Sequence, residues 1–254
     1  MRHLCQTIAG ACALFLMCFP AHSEDRLTVF AAASLKGALD AAAQQSGLDV
    51  AVSYGGSGLI ARQVAQGAPA DVVILAHPDW MAWLTSSGGI TPFAEHVLAG
   101  NALVLIGPAD APDLTPPVTG NTLMARLASG RLATGLTQSV PAGIYGRQWL
   151  MHIDAWSSVR SHLAETDNVR AALALVARSE APLGLVYASD ALAQQDVRVL
   201  YAIPSDAHDA IRYPLAVLDT KNTPQAVEFV TFLLSPAGQS LLAEFGFSPV
   251  ETPS

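Results

Sequence analysis

Cysteine is scarce in this chain of 254 residues, and all three cysteines lie within the first 23 positions, at Cys5, Cys12 and Cys18. If that segment is removed, no cysteine remains for a disulfide framework, a thiolate nucleophile or a metal site. The histidines beyond it form no pair four residues apart, the spacing with which a helix holds zinc. The sequence therefore indicates neither a resident metal nor a cofactor.

Positive charge is also in short supply, with 13 Lys and Arg against 21 Asp and Glu and a formal net charge of −8. Nucleic-acid binding depends on clustered lysine and arginine, so we expect no nucleic-acid partner. An acidic surface does not steer an anion from a distance either. A site for an anion would therefore have to act at short range.

The apolar run near the start, Ile8 to Phe19, is shorter than the roughly 20 residues that a membrane-spanning helix needs. A cationic start precedes it, and the small-residue end Ala21-His22-Ser23 follows it. This order is typical of a secretory signal peptide. We therefore predict that residues 1–23 are removed after Ser23 and that the remaining chain is exported to the periplasm.

The rest of the chain alternates short apolar runs with helix-like stretches. Strands are predicted at 27–33 and 102–108, for example, and one long closing helix at 224–245. Such alternation favours parallel βαβ units, and the Pro-rich stretch 108–117 separates two series of them. We predict an α/β fold of two halves, each a mainly parallel sheet flanked by helices, with a ligand at the carboxyl ends of the strands.

Four turns in this pattern lead from a strand or loop into a helix. A helix start presents unpaired main-chain N–H groups and a partial positive charge, which suit an anion. Glycines in one turn would let the backbone approach a ligand, although each turn alone fits an ordinary cap equally well. No lysine follows the Gly-Lys-Ser/Thr pattern, which disfavours a nucleotide phosphate loop. The turns lie at 31–35, 55–58, 140–143 and 166–170.

Five motifs in order carry a family resemblance: AAASL at 31–35, GAPADVVI at 67–74, VPAGIYGRQ at 140–148, NVRAALALV at 168–176 and APLGLVYASDA at 181–191. Together they resemble the periplasmic molybdate-binding proteins of ABC importers, from Leu27 to about Phe247. The resemblance implies a two-lobed, type II-like Venus flytrap that binds molybdate, and tungstate as well, and delivers it to a membrane permease. It implies a monomer without catalytic activity. Lobe I would comprise 24–104 and 217–254, and lobe II 105–216.

The resemblance also implies which residues hold the oxyanion. Ser34 and Ser57 would supply hydroxyls, and Ala142 and Val169 would supply main-chain amides. Tyr187, at the end of the GLVY strand, would supply a phenolic hydroxyl. Molybdenum would be held as molybdate through these residues, with no direct metal ligand. The turn Gly55-Gly56-Ser57-Gly58 departs from the family's serine-rich turn, so neighbouring hydroxyls are lost there.

Two other functions compete with this interpretation. A receptor for another oxyanion, such as sulfate or phosphate, would use the same kind of site. A hydrolase would use Ser57 as its nucleophile, but the turn lacks the Gly-x-Ser-x-Gly spacing and no His–Asp pair is indicated. Arg62 and Arg170, near helix starts, could contact the anion directly or pair with carboxylates between the lobes.

Overall fold

The computed structural model describes residues 26–249, which form ten strands and ten α-helices, with short 3-10 turns at Ala33–Leu35 and Arg160–His162. The predicted signal segment 1–23 and its cysteines lie outside the described residues. The strands are β1 (Leu27–Ala32), β2 (Val50–Gly55), β3 (Val72–Ile74), β4 (Pro92–Gly100), β5 (Leu103–Pro108), β6 (Leu132–Gly135), β7 (Leu163–Thr166), β8 (Leu183–Tyr187), β9 (Val197–Ala202) and β10 (Arg212–Leu218). The helices are α1 (Lys36–Ser46), α2 (Ser57–Ala65), α3 (Pro78–Ser86), α4 (Gly120–Leu127), α5 (Pro141–His152), α6 (Trp156–Val159), α7 (Val169–Ala177), α8 (Ala188–Leu192), α9 (Thr223–Leu234) and α10 (Pro236–Glu244).

The strands form two five-stranded sheets, ordered β2-β1-β3-β10-β4 and β7-β6-β8-β5-β9. We call each sheet with its helices the first and the second lobe, and the two-lobed α/β class is confirmed. The sheets are mixed rather than mainly parallel. In the first lobe β1 runs parallel to β2 and β3, but β10 is antiparallel to β3 and β4. The second lobe repeats this plan, because β6 is parallel to β7 and β8 while β5 is antiparallel to β8 and β9.

The chain crosses between the sheets twice, after β4 and after β9. The first lobe therefore takes strands from both ends of the described chain, and the second from the middle. Both crossings precede the boundaries predicted at 104/105 and 216/217, because Leu103 already pairs in β5 and Arg212 in β10. The exact division into lobes stays a prediction.

The central strand of each sheet, β3 in the first lobe and β8 in the second, contains almost only apolar residues. β3 and β8 are buried along their whole length. Strands with helices on both faces read as continuous apolar runs rather than as alternating ones. β4, by contrast, is an edge strand with several exposed positions, and its mixed sequence gave no strand signal.

The predicted closing helix at 224–245 is in fact two helices. α9 ends at Leu234 and α10 begins at Pro236, because proline has no N–H and cannot continue a helix. The Ser235 side chain caps α10 by accepting a hydrogen bond from the Gly238 N–H at 3.2 Å. Within residues 26–249 no single helix is long and apolar enough to cross a membrane; α9 and α10 pass that test only as a pair bent by 65°.

Candidate functional site

All five site residues nominated from the sequence line one small cavity between the lobes, with a free volume of about 10 Å³. Ser34 and Ser57 come from the first lobe, and Ala142, Val169 and Tyr187 from the second. None of the described residues that line the cavity carries a charge. The rest of the lining consists of Ala32, Ala33, Gly55, Gly56, Ala76, Val140 and Pro141.

Three helices begin at this cavity, namely α2, α5 and α7. The first N–H groups of a helix have no acceptor within the helix and carry partial positive charge. In α5 the first residue is Pro141, which has no N–H, so Ala142 provides the first free donor. In α7 the Asn168 side chain accepts from the Ala171 N–H at 3.0 Å, which leaves the Val169 N–H for another acceptor. The cavity therefore collects main-chain donors from both lobes.

Tyr187 ends β8 with its side chain only 1% exposed. Its hydroxyl has no hydrogen-bond partner within the described part of the chain. Burial, followed by the nearby hydroxyls of Tyr213 and Tyr145, raises the pKa of Tyr187 well above 10. The hydroxyl is therefore a neutral donor. Leaving such a group unpaired costs about 1–3 kcal/mol, which a ligand oxygen would recover.

The two serine hydroxyls are buried and already hold one partner each. The Ser57 Oγ accepts a hydrogen bond from the Ala76 N–H at 2.9 Å, so its own hydrogen remains available to donate. The Ser34 Oγ lies 2.9 Å from the Tyr213 hydroxyl. Among the described residues, neither serine hydroxyl has a hydrogen bond to a histidine or a carboxylate.

The glycine-rich turn at 55–58 makes close contact with the second lobe. A Cβ on Gly56 would lie 2.3 Å from the main-chain oxygen of Asp167, and a Cβ on Gly58 would lie 2.7 Å from that of Ser139. These glycines are expected to let the backbone approach a ligand, and Gly55 and Gly56 do line the cavity. Gly56 and Gly58 also admit the opposite backbone, and Gly58 admits the ring of Trp80. The lobes therefore touch at positions where only glycine fits.

Arg170, the second residue of α7, does not line the cavity but joins the groups around it. Its Nε lies 2.6 Å from the Oδ1 of fully buried Asp190, and its Nη2 donates to the Ser34 main-chain oxygen at 3.2 Å. Burial raises the pKa of Asp190 to about 6, and the arginine acts in the opposite direction. Arg62 instead stacks over the ring of Trp80 at 5.3 Å. Of the two roles considered for Arg170, the structure favours pairing over direct contact with a ligand.

Sequence reasoning missed three polar residues next to the site, Asn101, Asp190 and Tyr213. Asp190 and Tyr213 are buried, and Asn101 follows β4 at the first crossing. Each lies in or beside an apolar run that was interpreted as a strand or its flank. A polar residue next to a buried strand must itself be buried or nearly so, and it then requires a hydrogen-bond partner. This is the signal by which the sequence could have indicated them.

Comparison with known proteins supplies a family context. The family model described as "Bacterial extracellular solute-binding protein" matches residues 27–248. The chain is 38% identical to the molybdate-binding protein ModA of Escherichia coli K12, over 89% of this chain and 90% of that protein. It is 36% identical to ModA of Haemophilus influenzae, over 88% and 90%.

Solved structures share the fold. The periplasmic molybdate-binding protein of Azotobacter vinelandii superposes with a TM-score of 0.78 at 21% identity, over 89% of this chain and 100% of that one. The sulfate-binding protein SubI of Mycobacterium tuberculosis superposes with a TM-score of 0.74 at 19% identity, over 89% and 87%. At these identities the structural likeness shows the architecture and leaves the ligand open.

Proposed function

Because the chain belongs to the bacterial extracellular solute-binding proteins, in the ModA family, we propose that it captures molybdate, and tungstate as well, between its two lobes. Delivery would be to the membrane permease of an ABC importer. The observation that carries this proposal is the Tyr187 hydroxyl, which is buried without a partner in a side chain that lines the cavity. A ligand oxygen would complete it.

The donors around the cavity suit a tetrahedral dianion. The proposed set comprises three hydroxyls and two main-chain N–H groups, from Ser34, Ser57, Tyr187, Ala142 and Val169. Hydrogen bonds to a charged group contribute about 1.5–3 kcal/mol each, so five give about 8–15 kcal/mol. Submicromolar binding needs more than about 8 kcal/mol, so desolvation and lobe closure together must cost less than about 7 kcal/mol even at the upper figure.

Neutral donors also support selection among anions. A protonated anion such as hydrogen phosphate would bring an O–H against N–H and O–H donors, which is unfavourable. Sulfate has the same charge as molybdate but is smaller, so pocket size would have to reject it. The receptor would bind without catalysing, because Ser57 has a main-chain amide rather than a base as its partner.

Export and partners complete the proposal. The extracellular family supports export of the chain. We propose that a signal peptide at 1–23 is cleaved after Ser23 and that the remaining chain is a periplasmic monomer. Closure would assemble a surface from both lobes that an open receptor lacks. A permease that recognises this surface could distinguish loaded from empty receptors.

Isothermal titration of residues 24–254 with molybdate, tungstate, sulfate and phosphate tests the proposal. Submicromolar binding of the first two with little heat from the others is the expected result. Preferential binding of sulfate or phosphate would retain the receptor and replace its ligand. No heat from any of the four would contradict an oxyanion site in this cavity.

A further inference from the structure

A chain of hydrogen bonds runs from the first crossing between the lobes to the cavity. Asn101, at that crossing, places its Nδ2 3.2 Å from the hydroxyl oxygen of Tyr213 on β10. That oxygen lies 2.9 Å from the Ser34 Oγ, and Ser34 lines the cavity. Tyr213 and Ser34 are both buried, so water does not compete for the contact between them, whereas Asn101 is half-buried.

The hydrogen bonds of Asn101 fix the direction of the chain at its first step. The Oδ1 of Asn101 accepts from the Ala102 N–H at 2.9 Å, which fixes the amide orientation and makes Nδ2 the donor toward Tyr213. The Tyr213 oxygen therefore accepts at that end and can donate its single hydrogen to the Ser34 Oγ. In that orientation Ser34 accepts from Tyr213, and its own hydrogen is left for the cavity.

The Tyr213 hydrogen stays in place over the working pH range. Burial, and next the charge of Asp190, raise the pKa of Tyr213 far above its ordinary value of 10. The ring is also fixed, because it packs edge-on against Tyr187 at 6.1 Å and against Phe247 at 5.4 Å between centroids. A neutral, immobile phenol is a reliable donor to Ser34.

We propose that Asn101 and Tyr213 are positioning residues that orient the Ser34 hydroxyl as a donor to the bound oxyanion. This inference rests on the proposed function. A serine hydroxyl without such a partner is free to rotate and can present its lone pairs to the anion, which repels them. With Tyr213 donating to it, Ser34 keeps its hydrogen for the ligand, and the orientation is set before binding.

The Asn101 amide adds a connection between the lobes. Its Nδ2 also donates to the Ser189 Oγ of α8 in the second lobe at 2.8 Å. One amide group thus contacts Ser189 on one side of the crossing and Tyr213 on the other. The orientation of Ser34 is therefore coupled to the geometry of the crossing itself.

We call the hydrogen-bond chain from Asn101 through Tyr213 to Ser34 the relay. A double-mutant cycle for molybdate binding tests it, by titration of wild type, Ser34→Ala, Tyr213→Phe and the double variant. We expect Tyr213→Phe to raise Kd about tenfold or more, because Ser34 then loses its fixed orientation. In the Ser34→Ala background the same change should have no effect on Kd. Tyr201→Phe is the matched control, since it removes a hydroxyl from a ring that stacks on Trp149, and its Kd should equal that of wild type.

Asn101→Asp tests the direction without altering the phenol, and it applies even if Tyr213→Phe folds poorly. A carboxylate of the same shape only accepts, so Tyr213 would donate to it and Ser34 would have to donate to Tyr213. We expect weaker molybdate binding than in wild type. In the Ser34→Ala background, Asn101→Asp adds the same charge, but the serine hydroxyl is absent. The part of the affinity loss that comes from reorienting Ser34 should therefore vanish there.

The outcomes separate the relay from the proposed function. If wild type binds molybdate but Tyr213→Phe leaves Kd unchanged, or weakens it equally with and without Ser34, the relay is wrong and the receptor stands. If wild type binds none of the four oxyanions, the proposed function fails and the relay fails with it. A tenfold loss of molybdate affinity that Tyr213→Phe causes only when Ser34 is present supports the relay.

Discussion

Arg170 of α7 donates a hydrogen bond to the main-chain oxygen of Ser34 across 3.2 Å, although the two residues belong to different lobes. The same guanidinium pairs with buried Asp190, whose Oδ2 accepts from the Tyr187 N–H at 3.3 Å. One arginine thus links two proposed ligand residues. Because its two contacts lie on different lobes, the link to Ser34 requires the lobes to be closed.

Replacing Arg170 by lysine should weaken the closed state while keeping the charge beside Asp190. An ammonium group lacks the planar fork with which arginine holds Asp190 and the Ser34 oxygen together. We expect Kd for molybdate to rise about three- to tenfold, mainly through faster dissociation. Stopped-flow measurement of the dissociation rate checks this. Arg62→Lys is the control, because Arg62 stacks on Trp80 within its own lobe, and equal effects of the two changes would argue against the link.

Removing the Tyr187 hydroxyl should have opposite effects on stability and binding. In Tyr187→Phe the buried, unpaired hydroxyl disappears, so the unfolding free energy without ligand should stay the same or rise by about 1 kcal/mol. Molybdate binding should weaken tenfold or more, because a donor to the anion is lost. Urea unfolding and titration measure the two quantities. Loss of stability together with unchanged Kd would show that the hydroxyl serves the fold instead.

Gly56→Ala should block closure without disturbing the local backbone. The angles at Gly56 are φ −68° and ψ 138°, which suit alanine, so the penalty comes from the Asp167 oxygen of the other lobe, 2.3 Å from the added Cβ. We expect molybdate affinity to fall at least about tenfold, roughly the effect of 1.4 kcal/mol. Small-angle scattering with molybdate should show a larger radius of gyration than in wild type.

The control for that change is Gly55→Ala, one residue earlier. Its added Cβ would meet only the side chains of Ile60 and Leu59 in the same lobe, the nearest atom at 3.3 Å. Closure should therefore be preserved, and because Gly55 lines the cavity without touching the other lobe, any loss of affinity should be smaller than for Gly56→Ala. Comparable losses of affinity in both variants would mean that the turn itself, rather than contact with Asp167, limits binding.

Asp190 should make stability depend on pH in a direction unusual for a carboxylate. Its pKa rises from 3.8 to about 6 in the folded chain, so the folded state holds a proton where the unfolded state does not. The stability from this protonation is fully present below about pH 4 and lost as pH rises through about 6. The two pKa values differ by an amount that corresponds to on the order of 3 kcal/mol.

Urea unfolding of wild type and Asp190→Asn between about pH 4 and 7 isolates that contribution, since other titrating groups cancel in the difference. The wild-type free energy of unfolding should fall relative to the variant as pH rises. A flat difference, or one that grows with pH, would place the Asp190 pKa at or below its ordinary value.

The predictable part of this site is local in sequence. Ser57, Ala142 and Val169 stand at helix starts, where a few consecutive residues determine which main-chain donors remain free. The helix break at Ser235 had a local signal too, namely Pro236, but apolar residues on both sides suggested one continuous helix. Features within one turn are therefore within reach of the sequence.

The remaining part depends on contacts between distant positions. Ser34 and Tyr213 are 179 residues apart, and Arg170 reaches Ser34 across 136 residues. Such contacts depend on the antiparallel pairing of β10 and on lobe closure, neither of which leaves a periodic pattern. The relay from Asn101 and the link through Arg170 both join residues of different lobes, so no local sequence pattern indicates them.

The most direct test is a crystal structure of residues 24–254 grown with molybdate, with diffraction data collected on both sides of the molybdenum absorption edge. We predict one strong anomalous peak in the cavity, with ligand oxygens within hydrogen-bond distance of Tyr187, Ser34 and Ser57 and of the Ala142 and Val169 amides. A peak only elsewhere, such as the cavity of about 440 Å³ beside His208 and Arg212, or no peak at all, would contradict the account.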